Sequence, residues 1–66
     1  MKIYDFTEPE LRIFRQECNF SEDELHYFNL RAKHYSNLHI AIEMNVSEGK
    51  VSKLARAVKN KMLKVI

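Results

Sequence analysis

The stretch SNLHIAIEMNVSEGKVSKLARAV, from Ser36 to Val58, decides how this 66-residue chain folds. Ser36 and Ser47 each stand just before a run with apolar residues at helical spacing. Ile40, Ala41 and Met44 form the first stripe; Val51, Leu54, Ala55 and Val58, continued by Met62, form the second. Apolar residues recurring three and four positions apart mark one face of an α-helix. A serine in front of such a run offers its oxygen to an otherwise orphan amide of the first turn. Between Met44 and the cap Ser47 only Asn45 and Val46 remain. A short helix and a long basic one must therefore turn sharply against each other. Ala41 lets them approach, Val46 plugs the corner, and Val51 packs the second back onto the first.

The same start signals occur twice upstream. Thr7-Glu8-Pro9-Glu10 and Ser21-Glu22-Asp23-Glu24 have the capping-box form, in which hydroxyl and glutamate each satisfy a backbone amide. All four caps are flanked by an apolar residue before the cap and another at the fourth helical position: Phe6 with Leu11, Phe20 with Leu25, Tyr35 with Ile40, Val46 with Val51. That is a hydrophobic staple at every start. The predicted fold is all-α, with helices at about 8–17, 22–33, 37–44 and 48–63. The first helix is expected to bury Leu11 and Phe14, with Ile13 beside them. The second is expected to bury Leu25, Phe28 and Ala32, with Tyr27 and Leu30 alongside.

The composition bounds the rest. One domain is expected at this length, with no internal repeat or linker. No apolar run approaches the roughly 20 residues that span a bilayer, so no membrane association is expected. The start MKIYDFTEPE lacks the apolar core of a signal peptide. A single cysteine, Cys18, fits a reducing, cytoplasmic setting. The net charge of +2 is unevenly distributed. Ser47 to Ile66 carries six bases and one acid, a balance of +5; Met1 to Val46 carries five bases and eight acids, a balance of −3. A polyanion is the partner to which such a segment points.

A short helix, a tight turn and a long basic helix make helix-turn-helix chemistry, in which the second helix is held out to enter a major groove. Ala32, Ser36-Asn37, Ile40-Ala41, Met44, Val46-Ser47, Val51, Val58 and Lys61-Met62, with Phe20-Ser21 and Glu24 upstream, resemble the LuxR/GerE-type DNA-binding domain without a gap over residues 20–62. SEGKV followed by Arg56-Ala57 is equally similar to region 4 of bacterial sigma factors, a related tetrahelical fold. Both resemblances imply a tetrahelical helix-turn-helix domain of bacterial or phage type. The departures are specific. His34 stands where the LuxR-type pattern has glycine, at a helix end where positive φ is often needed. Lys50 replaces the usual threonine. The resemblance does not extend to the C-terminal dimerisation helix of LuxR-type domains, and an added N-terminal helix is expected, as in sigma region 4.

The resemblance places Ser52, Lys53 and Arg56 where LuxR-type recognition helices touch base edges. These side chains also point away from the Val51/Ala55/Val58 stripe, and an arginine can grip a guanine edge in bidentate fashion. Ser36, Asn37 and Ser47 at helix starts, with Lys50 and Lys59, are expected at phosphates. Lys61 and Lys64 read as solvated. Gly49 costs helix stability and would let a DNA backbone come close. Three histidines and Cys18 lack metal-ligand spacing, so neither metal nor cofactor is expected. No nucleophile–base pair, phosphate loop or paired carboxylates suggest an enzyme. The expected function is sequence-specific double-stranded DNA binding by a small transcriptional regulator. The alternative is a sigma-region-4-like module that binds RNA polymerase or another protein with little DNA affinity of its own. A homodimer joined through the apolar termini, Ile3, Tyr4 and Phe6 with Leu63, Val65 and Ile66, is the expected assembly.

Overall fold

The computed structural model describes residues 2–66. A short 3-10 turn, Ile3–Asp5, precedes four helices: α1 Glu8–Glu17, α2 Glu22–Ala32, α3 Asn37–Met44 and α4 Glu48–Val65. The protein is thus an all-α four-helix domain. The helix starts fall where the caps predict them. Only the ends differ: α2 stops one residue early and α4 runs two residues further.

Each cap makes its bond. The amide of Glu10 donates to Thr7 Oγ1 at 3.5 Å while Glu10 Oε1 accepts from the Thr7 amide at 2.8 Å. Ser21 and Glu24 repeat the exchange at 3.3 and 2.9 Å. Ser36 and Ser47 accept from the amides of His39 and Lys50, both at 3.1 Å. The helix ends use left-handed residues without any glycine. Asn19, His34 and Asn45 have φ of 51°, 72° and 57°. Asparagine and histidine tolerate this region better than most L-residues. At the end of α3, the Val46 amide reaches Ala41 O at 3.0 Å and the Asn45 amide reaches Ile42 O at 3.2 Å. At the end of α2, Tyr35 and His34 make the matching bonds to Leu30 and Arg31. This paired closure satisfies the last carbonyls and reverses the chain.

The core gathers around Phe28 of α2, Ile40 of α3, and Val51, Val58 and Met62 of α4, all at most 1% exposed. Leu11 and Phe14 bring α1 onto it, and Ile3 brings the N-terminal turn. Phe6 meets Phe14 edge-on at 4.9 Å, and Phe20 lies against Phe28 at 5.0 Å.

Two expected core residues are exposed. Ile13 is 51% exposed because it lies on the side of α1 away from Leu11 and Cys18. Leu25 is 37% exposed because the inward arc of α2 runs through Glu24, Tyr27 and Arg31. Two charged residues can join that arc because each has a partner. Arg31 Nη1 donates to Tyr35 O at 2.6 Å. Glu24 receives Lys61 Nζ, which also donates to Asn19 O at 3.3 Å. Lys61 is therefore not a solvated lysine. It ties α4 to the start of α2 and to the α1–α2 turn. Arg15 links α1 to α2 similarly, with Nε donating to Asn29 Oδ1 at 2.8 Å and its guanidinium over the Phe28 ring at 5.5 Å.

Glu24 makes this junction pH-sensitive. The hydrogen bond from Lys61, and secondarily that from the Ser21 amide, holds its carboxyl below the ordinary value. A depressed folded pKa gives stability that is complete above the unfolded value, about 4.3, and is lost as pH falls through the lower folded value. Thermal melts of Glu24→Gln should show less loss of Tm on acidification through that range than the unsubstituted protein. Parallel curves would mean that the junction contributes nothing to acid sensitivity.

Candidate nucleic-acid interface

α4 runs the length of the molecule. Its 18 residues at about 1.5 Å each match the longest dimension of 28 Å. One side carries the buried Val51, Leu54, Val58 and Met62. The solvent-facing arc carries Gly49, Ser52, Lys53, Arg56, Lys59 and Asn60, all exposed, with Lys59 at its edge. The turn at Asn45 and the cap at Ser47 fix this rotation, because they set where the first helical residue lies relative to α3.

The cations of α4, Lys64 in the last turn aside, divide into two groups. Lys61 is committed to Glu24, and Lys50 lies 3.8 Å from Asp23 with both side chains well exposed. An exposed pair of that kind is weak and readily exchanged. Among the described residues, Lys53, Arg56 and Lys59 have no carboxylate within ion-pair distance. The structure thus brings Ser52, Lys53, Arg56 and Lys59 together on one uncompensated face. It sets Lys50 to the flank nearest α2.

Ser36 and Asn37 open α3 and are both exposed. Ser36 and Ser47 are occupied as caps, but each hydroxyl keeps its own proton for an outside acceptor. Asn37 Oδ1 accepts from the Tyr27 hydroxyl at 3.1 Å. Asn37 and Lys59 line one cleft of about 160 Å³ together with Lys2, Tyr27 and Arg31. Sequence patterns mark neither Lys2 nor Arg31, and they mark Tyr27 only as a core-side residue. Their approach depends on how the N-terminal turn packs against α2, and no local pattern announces it.

Two apolar features reach the surface. Leu38 and Ile42, one turn apart on α3, are 57% and 68% exposed. A groove of about 260 Å³ is lined by Phe6, Glu10, Ile13, Phe14, Val65 and Ile66, so the two chain ends do meet. Ile3, though, is spent in the core. Among the described residues no three His, Cys, Asp or Glu side chains come together as a metal set. Cys18 is buried, and burial pushes its thiol pKa up, away from nucleophilic chemistry. No described helix is long and apolar enough to cross a membrane.

Comparison with known proteins gives no relative: no family model, no curated protein and no solved structure matches the chain.

Gly49 has no structural need to be glycine. A Cβ built there would meet only Ser47 Oγ, at 3.8 Å. Gly49→Ala should therefore stabilise the fold by roughly 0.5–1 kcal/mol, as expected for an exposed helical glycine. If the exposed face meets a partner backbone at this point, the same variant should bind that partner more weakly. Raised Tm together with unchanged binding would place the contact elsewhere on the helix.

Proposed function

We propose that this protein binds double-stranded DNA sequence-specifically and acts as a small cytoplasmic transcription regulator, with α4 entering the major groove. One observation carries the reading: Lys53, Arg56 and Lys59 form an unpaired cationic face on a long helix that follows a three-residue turn. Arg56 would take a guanine O6/N7 edge, Lys53 a base edge or phosphate, and Ser52 an adjacent base. Lys59, Lys50, Ser36, Asn37 and Ser47 would hold backbone phosphates and fix the register.

Binding to duplex DNA should weaken steeply with salt. Neutralising about four phosphates gives a slope of log K against log salt of roughly −3.6. Arg56→Ala and Lys53→Ala should each cost about 1–3 kcal/mol on the preferred site and relax sequence preference, whereas Lys59→Ala should weaken all sequences alike. Unchanged specificity in both recognition-face variants would sink α4 as the reading helix. Exposed Leu38 and Ile42 support a second reading, docking onto RNA polymerase or another protein. An absence of duplex binding even at low salt would favour it.

A single recognition helix makes a small interface, about 600–1,000 Å², and tight specific binding usually needs more. A second copy is proposed to supply it, joined through the groove where Phe6 and Ile13 meet Val65 and Ile66, leaving the cationic face clear. Two half-sites about 34 Å apart would follow. Sedimentation at tens of micromolar should show a dimer; monomer alone, with and without DNA, would exclude the second copy.

A further inference from the structure

We infer that the cleft between the N-terminal turn, α2, the start of α3 and the middle of α4 is a phosphate site, occupied in the complex by a backbone phosphodiester flanking the groove that α4 reads. The inference rests on the DNA-binding reading and adds to it a contact from outside the helix-turn-helix unit, that of Lys2.

Lys2, just before the N-terminal turn, Arg31 of α2 and Lys59 of α4 all line this cleft, and no carboxylate does. None of the three has an acidic partner among the described residues. Three cationic residues around one small opening favour an anion there. Two of them are held in place. Tyr4 offers its ring to both, with Lys2 Nζ at 5.7 Å and the Arg31 guanidinium at 5.0 Å from the centroid. The bond from Arg31 Nη1 to Tyr35 O fixes one edge of the guanidinium and leaves its other donors available.

The neutral donor is oriented as well. Because Asn37 Oδ1 accepts the Tyr27 hydroxyl, the Asn37 amide must turn its NH₂ away from Tyr27. Tyr27 is 4% exposed, and burial raises its pKa, so its hydroxyl keeps the proton that this bond needs. Tyr27 is thus a positioning residue, and Asn37 with the three cations would touch the ligand. The floor is apolar, from Ile3, Ala55, Val58 and Met62. Against such a floor, charge-assisted hydrogen bonds gain strength. Asn37 also opens α3, whose first-turn amides favour negative charge. In a helix-turn-helix unit the first helix crosses the DNA backbone beside the groove filled by the second. The cleft takes Asn37 from the start of the first of these helices and Ala55, Val58, Lys59 and Met62 from the second.

Duplex binding by Lys2→Ala and by Arg12→Ala, measured across salt concentrations, provides the first test. Arg12 is exposed on α1 and does not line the cleft, so it carries the same charge change without the contact. Lys2→Ala should weaken all duplexes by about three- to tenfold and make the salt slope shallower by about 1, while Arg12→Ala stays near the unsubstituted protein. Equal small losses in the two variants would overturn the cleft and leave the DNA reading standing. The second arm needs no DNA and so separates the two failures. Sodium phosphate, compared with sodium chloride at equal ionic strength, should shift the Asn37 side-chain amide resonance of the unsubstituted protein. The shift should be lost in Lys2→Ala and reduced in Tyr27→Phe. No phosphate-specific shift would overturn the site. A shift without any duplex binding would overturn its assignment to a DNA phosphodiester in favour of free phosphate.

Discussion

The reversal at Asn45 sets the rotational phase of α4, and that phase decides which side chains of the helix meet solvent. With Asn45 at φ 57°, the Val46 amide closes onto Ala41 and the chain re-enters a helix at Ser47. Val51 then falls on the buried side of α4, in one core cluster with Ile40 and Ala41 of α3, and Leu54, Val58 and Met62 follow at helical spacing. A one-residue change in the turn would rotate α4 by about 100° and carry Lys53 or Arg56 toward the core. Burying an unpaired cation is among the costliest changes available to a small domain. The apolar stripe and the cationic face thus enforce the same register from opposite sides.

Acidic residues concentrated upstream of α4 complete that arrangement. Asp23 and Glu24, in the first turn of α2, favour that helix end and also meet Lys50 and Lys61 across the interface with α4. The charge asymmetry is therefore partly structural. Two of the six bases in the last twenty residues are drawn toward α2. What remains uncompensated is narrower than the composition suggests, and it lies where the helix is most accessible.

Much of the fold is legible in the sequence because its signals are local. A cap, a staple and an αL residue act within one turn, so Thr7, Ser21, Ser36, Ser47 and His34 could be read without knowing any tertiary contact. The misplacements share a different origin. Leu25, the staple partner of Phe20, is expected inside in place of Glu24 or Arg31. Those two turn inward only because Lys61 and the Tyr35 carbonyl await them, and neither partner is visible from α2 alone. Lys61 looks solvated for the same reason, since Glu24 is 37 residues away. The exposed face of α4 was legible from its periodicity. The cleft beside it was not, because it needs Lys2, Arg31 and Lys59 from three separate parts of the chain.

The residues that the fold does not require are the most informative about function. Val51 or Phe28 would be present in any stable version of this domain. Gly49 weakens its helix where an alanine would fit, and Lys53, Arg56 and Lys59 hold like charges on neighbouring turns with no carboxylate partner among the described residues. Like charges at such spacing destabilise a helix by a few tenths of a kcal/mol per pair. A chain this short buries only about 60% of its unfolded surface and has little stability to spare. Small costs concentrated on one face of one helix are then hard to explain by folding alone. They are relieved together if that face receives an anionic surface, which supplies the missing counter-charge and approaches closely at the position without a side chain.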